Sequence, residues 1–132
     1  MKYLKTQVIA LTIIGASLFS SALLAHGTNL KFSNDTNVDL SVRINNACSN
    51  QFGVIKRHSE KVISKKSLEE ACKYDQSKCS MQVFNTAHCA GKQIETVVIN
   101  TSQGVISLEG GETQSDYYYW RGDGFNLYVS NH

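Results

Sequence analysis

The 132-residue sequence contains no proline, no internal repeat and no low-complexity segment, so no proline-rich linker divides it. It has no C-x-x-C pair, which removes the usual thiol redox motif and the knuckles of a four-cysteine zinc site. No G-x-S-x-G elbow or comparable signature is present to activate a serine, so no hydrolase constellation can be assembled. Excess positive charge is missing as well. The 13 basic side chains include Lys2 and Lys5 of an apparent leader, which leaves 11 against 11 acidic ones. A near-neutral chain without a basic stripe argues against nucleic acid or an anionic membrane as partner.

What is present begins at the N-terminus. Lys2 and Lys5 precede the apolar run Val8–Phe19, which is too short to span a bilayer but suits the h-region of a secretory leader. Ser20–Ala25 then offers small residues to a signal peptidase. Cleavage after Ala25 is favoured and cleavage after Ala22 is the alternative. The first choice makes 1–25 a signal peptide and 26–132 a single domain beginning His26-Gly27-Thr28. No later apolar run approaches the length of a membrane span, and no cysteine adjoins the cleavage site as in a lipoprotein. The protein is therefore expected in the periplasm or outside the cell.

Cys48, Cys72, Cys79 and Cys89 form an even set in an exported chain, so two disulfides are expected. Three connectivities are open. The expected one closes the polar loop Lys73–Lys78 with Cys72–Cys79 and joins two strand ends with Cys48–Cys89. Each bridge should stabilise by about 2–4 kcal/mol.

Period-two alternation dominates the rest. Leu30 and Phe32 alternate with polar neighbours. Val38–Asn46 puts Val38, Leu40, Val42 and Ile44 on one face of a half-buried strand. Shorter strands are expected at Gly53–Ile55, Lys61–Ser64 and Ser80–Asn85. Ile94–Asn100 and Val105–Glu109 flank a turn ending at Gly104. Ser115–Arg121 and Phe125–Ser130 flank Gly122-Asp123-Gly124 as a second hairpin. Ser67-x-x-Glu70 has capping-box spacing, which predicts one short helix near 68–72. About eight short strands with regular turns predict an all-β antiparallel β-sandwich, with a small β-barrel as the alternative.

The stretch Phe32-Ser33-Asn34-Asp35-Thr36, with Leu40, Gly53-Val54-Ile55-Lys56-Arg57-His58-Ser59 and the Cys72–Cys79 loop, resembles a group of small exported proteins. Intracellular gamma-proteobacterial pathogens carry these in several copies. Their pattern has a leader, an F-x-N-x-T strand start, a G-x-I-x-x-H-S segment and a C-x6–8-C loop. A run like Val97–Asn100 and a final aromatic hairpin follow. The resemblance implies a disulfide-stabilised β-sandwich and export through the type II pathway. It brings no catalytic residues.

Several groups are candidates for chemistry. An N-terminal His26 would offer its α-amine and ring nitrogen to Cu(II), with His58, His88 or His132 completing a histidine brace. His58-Ser59 and His88 beside Cys89 read more simply as turn-fixing polar groups. Arg121-Gly122-Asp123 spells an integrin-binding tripeptide at an expected hairpin tip, although Gly-Asp-Gly is also what a tight turn demands. Asn34-Asp35-Thr36 and Asn100-Thr101-Ser102 match the glycosylation sequon, which matters only in a eukaryotic secretory pathway. In Tyr117-Tyr118-Tyr119-Trp120, alternate residues share a face, so one pair must point outward. Such a pair can stack on a sugar or anchor a protein, so Tyr117, Tyr118, Tyr119, Trp120, Arg121 and Asp123 are the candidate binding residues, with Tyr118 and Trp120 the pair to substitute. The other outcome is packing against Phe125, Leu127 and Tyr128. These observations predict a non-enzymatic exported binding protein, a secreted virulence-associated factor that engages a host or envelope component. It needs no cofactor, and its partner is a protein or glycan outside the cytoplasm. A copper protein using His26 is the alternative.

Overall fold

A computed structural model describes residues 28–112 and 117–132. Along the described chain run β1 (Leu30–Asp35), β2 (Ser41–Ile44), β3 (Ala47–Cys48), β4 (Ser59–Ile63) and α1 (Lys65–Ala71). They are followed by β5 (Cys79–Phe84), β6 (Gln93–Asn100), β7 (Gly104–Leu108), β8 (Tyr118–Asp123) and β9 (Asn126–Asn131). The strands form two sheets, ordered β4-β1-β9-β8 and β3-β2-β5-β6-β7. Neighbours are antiparallel except β1 and β9, which run parallel with Phe32 opposite Leu127.

The alternation in the sequence becomes the core. Leu30 and Phe32 of β1, Leu127 and Val129 of β9, and Ile63 of β4 turn inward from one sheet. Val42 and Ile44, Met81 and Val83, and Val97 and Ile99 do so from the other; all are buried. Burial of this apolar area between two sheets supplies the main driving force for the fold. The sheets touch at their corners through single bridges, Leu40 to Ile55 and Val105 to Gly124. One bridge is not a continuous ladder, so the two sheets do not close into a barrel. At the second corner Gly104 has φ +96°, and a β-carbon there would lie 2.2 Å from the Gly124 carbonyl oxygen. Only glycine fits.

Both disulfides have the expected pairing. Cys48–Cys89 ties β3 to the loop after β5, and Cys72–Cys79 ties the end of α1 to the start of β5. The helix begins earlier than its capping signal suggested. Ser64, not Ser67, is the N-cap: its side chain accepts a hydrogen bond from Ser67 N at 3.1 Å. The reason is tertiary. Ser64 leaves β4 in extended conformation, and starting there turns Leu68 and, one turn later, Cys72 into the core. Two other expectations shift. Val38–Asn46 is interrupted, with β2 ending at Ile44, because Asn45 and Asn46 both take positive φ (53° and 65°). They make the two-residue turn to β3, a conformation asparagine tolerates. Gly53–Ile55 is not a strand of its own and contributes only the Ile55 bridge to Leu40.

The residues that carry the family resemblance hold one corner together. Buried Asn34 places its Nδ2 at 2.9 Å from Val38 O, 3.0 Å from Ile55 O and 3.2 Å from Lys56 O. Its Oδ1 accepts from Thr36 N at 3.0 Å and Thr36 Oγ1 at 2.7 Å. One buried side chain thereby joins the carbonyls of the β1–β2 loop to those of the Ile55–Lys56 segment, beside the Leu40–Ile55 bridge. Ser59 Oγ donates to Lys56 O at 2.7 Å within the same corner. The F-x-N-x-T and G-x-I-x-x-H-S segments are thus bonded to each other, and their role in the fold is structural.

Candidate functional site: an outward tyrosine face

Strand β8 pairs with β9 along its whole length, with Tyr119 opposite Ser130, Arg121 opposite Tyr128 and Asp123 opposite Asn126. Alternation sends Tyr118 and Trp120 inward and Tyr119 outward, continuing the phase of Tyr117. Trp120 meets Phe32 edge-on with ring centroids 6.2 Å apart, and both Tyr118 and Trp120 pack against the core. The Trp120 indole nitrogen is buried with no hydrogen-bond partner among the described residues, so the ring serves there as apolar bulk. Of the four aromatic candidates, Tyr118 and Trp120, the pair singled out for substitution, are thus the two turned toward the core. Tyr117 is 77% exposed and Tyr119 45% exposed, and these two face solvent.

Neighbours on the same face organise the pair. The His132 ring stands perpendicular to Tyr119 with centroids 6.0 Å apart, and His132 N donates to Tyr117 O at 2.8 Å. One row along, the Arg121 guanidinium lies 5.2 Å above the Tyr128 ring. A cation over an aromatic face is held by the ring quadrupole, which keeps the arginine flat against the sheet. The result is a surface of three tyrosines, one arginine and one histidine on the outer side of the four-stranded sheet. Tyr128, a cross-strand neighbour of this cluster, belongs to the same outer surface.

Arg121-Gly122-Asp123 lies within β8, paired throughout with β9, and not at the hairpin tip, which is Gly124-Phe125. Gly122 has its own packing reason, since a β-carbon there would come within 2.6 Å of Val105 Cγ1. Arg121 and Asp123 both point to the tyrosine face. His58 (φ +51°) sits at a turn with Nδ1 3.1 Å from Asp35 Oδ1 and Nε2 2.9 Å from Asn37 Oδ1. Both of its ring nitrogens are thus engaged. His88 is exposed beside the Cys48–Cys89 bridge. His26, Ser115 and Asp116 fall outside the described residues. Among the described residues, no three His, Cys, Asp or Glu side chains gather closely enough to hold a metal ion, and no helix is long and apolar enough to cross a membrane. The Asn34 amide of the first sequon is buried and fully bonded. Sequence reasoning named Tyr128 and His132 but did not place them on this face, although the outward phase of β9 and its pairing with β8 point to both.

The family described as T2SS substrate NttC matches residues 4–130. The chain belongs to the NttC family. It is thus a type II secretion substrate and an exported protein, as the resemblance in its sequence implied. The crystal structure of the Legionella pneumophila type II secretion system substrate NttC is similar in fold. The two share 14% identity and a TM-score of 0.62, over 79% of this chain and 97% of that one. No curated protein matches. At that identity the likeness speaks for architecture, and the NttC family description names a route of export but no activity.

Proposed function

We propose that this NttC-family protein is a non-enzymatic binding factor that engages a host or envelope component through the outer face of its four-stranded sheet. The reading takes the leader as removed after Ala25, leaving a single disulfide-locked domain. One observation carries it: Tyr117 and Tyr119 face solvent on a regular strand whose partner pair, Tyr118 and Trp120, already supplies the core. Large aromatic rings left exposed beside a flat-lying arginine are the residue types that dominate binding energy at recognition surfaces. The geometry also favours rigidity. β8 is bonded along its length to β9, so little side-chain and backbone order has to be gained on contact.

The test uses the secreted, oxidised protein, fluorescently labelled, applied to intact host cells and to isolated bacterial envelopes. Tyr117→Ser with Tyr119→Ser should remove saturable binding to whichever surface retains the wild-type protein, while the melting temperature stays within about 3 °C. Saturable binding that the double variant retains in full would sink the reading.

A further inference from the structure

On the other sheet lies a hollow of about 350 Å³, between the Cys72–Cys79 loop and the Asn45–Asn46 turn. Its volume is at the small end of ligand pockets and suits a molecule the size of a monosaccharide. Two of its lining residues are cations, Arg43 and Lys78, and one is an acid, Asp75.

Arg43 is held in place before any ligand arrives. Its Nε donates to Gln82 Oε1 at 2.7 Å, and its guanidinium carbon lies 4.8 Å over the Phe84 ring. These contacts fix the plane of the group and use one of its nitrogens. Ion pairs among the described residues involve Lys31, Arg57, His58 and Lys65; neither Arg43 nor Lys78 has one. A half-buried, pre-oriented guanidinium without a carboxylate leaves its outer edge of N–H donors aimed at open space, where a planar or tetrahedral oxyanion can be gripped by two of them.

Asp75 does not fill that role. Its Oδ1 is turned back into its own loop, accepting from Ser77 Oγ at 2.8 Å, Ser77 N at 3.2 Å and Lys78 N at 3.1 Å. The rest of the lining is uncharged: Asn45, Asn46, Ser80 and Gln82 are polar, and Ile44 with the Cys72–Cys79 bridge is apolar. Both walls are constrained, one by the Cys72–Cys79 bridge and the other by the two left-handed asparagines of the turn. Such preorganisation lowers the ordering cost of binding.

We propose that this hollow binds a carboxylate, sulfate or phosphate carried on a sugar-sized molecule, with Arg43 as the principal contact and Lys78 as the second charge. The site is separate from the tyrosine face and stands or falls independently of it.

The test is an NMR titration of the secreted, oxidised protein at low ionic strength. The ligands are inorganic phosphate, inorganic sulfate, glucose 6-phosphate, glucose 6-sulfate, galacturonate and neutral glucose. Inorganic phosphate should shift the Arg43 Nε–H and the Asn45 and Asn46 amide signals saturably, with a dissociation constant of about 1–10 mM. At least one sugar anion should bind about tenfold more tightly, and the tightest of the three identifies the acidic group. Neutral glucose should shift nothing. Arg43→Gln and Lys78→Gln should each weaken binding about fivefold or more, whereas Asp75→Asn should strengthen it and added NaCl should compete. Should Arg43→Gln disturb the fold by losing its place over Phe84, Lys78→Gln on the exposed loop carries the same test. The absence of saturable shifts with every anion, equal binding of glucose, or affinity unchanged in both Gln variants overturns the proposal. Inorganic phosphate binding as tightly as every sugar anion removes the sugar from it.

Discussion

Replacing Cys48 and Cys89 together by alanine would test how this fold is stabilised. The bridge joins residues 41 apart in sequence. For a loop of that length, chain entropy removed from the unfolded state stabilises by about 4 kcal/mol at 25 °C, against about 2.5 kcal/mol for the 7-residue separation of Cys72–Cys79. The short bridge lies inside the long loop and shortcuts it, which trims the larger figure by only about 0.2 kcal/mol because the dependence on length is logarithmic. Cys48 is exposed and Cys89 half-buried, so little packing is lost with their sulfurs. Cys72 and Cys79 are 1% and 4% exposed, so deleting that pair also leaves a defect in the core. Loss of the Cys48–Cys89 bridge should therefore act almost wholly on the unfolded state. Guanidinium unfolding followed by circular dichroism should show a loss of about 4 kcal/mol and a steeper denaturant slope, as the released chain expands. The native spectrum should not change. A loss under about 1 kcal/mol with an unaltered slope would refute the reasoning.

Four further outcomes follow from the packing. Gly104→Ala should cost about 3 kcal/mol or more in chemical denaturation, since the methyl group collides with the Gly124 carbonyl where φ is +96°. Asn34→Ala should cost about 3 kcal/mol by the same measurement, because carbonyls of Val38, Ile55 and Lys56 lose their shared donor. Trp120→Ala should lower stability by about 2–4 kcal/mol, whereas Tyr119→Ala should stay within about 1 kcal/mol; equal losses would show the two faces of β8 to be misassigned. Glu95 is buried, and desolvation raises its carboxyl above the ordinary 4.5 despite hydrogen bonds from Gly110 N and Thr96 N. A raised folded-state value means that its contribution is fully present below pH 4.5 and is lost as pH rises through the folded value. Glu95→Gln should accordingly raise the melting temperature at pH 7 and leave it nearly unchanged at pH 4; the reverse order would contradict the assignment.

Much of the sandwich was legible along the chain because period-two burial is a local property. Val42 and Ile44 had to share a face, as did Leu127 and Val129, whatever lay opposite. The turn signals were less reliable. Asn45-Asn46 ends a strand through left-handed backbone that asparagine permits but does not announce. The helix start was displaced because two serines, Ser64 and Ser67, offered caps, and burial of Leu68 and Cys72 chose between them. The candidate surface was half legible: alternation required one aromatic pair of β8 to face outward, but nothing local said which.

By itself the sequence pointed to export and determined the even cysteine set, the alternating strands and the absence of any hydrolytic signature. These depend on residue type and near-neighbour spacing alone. Three matters were decided only in three dimensions: which pair of rings points to solvent, how Asn34 ties its own loop to the distant Ile55–Lys56 segment, and how Arg43 comes to stand uncompensated beside Lys78. Each depends on which strand lies next to which. That adjacency is set by the burial of both sheets against one another, a property of the whole chain and of no segment within it.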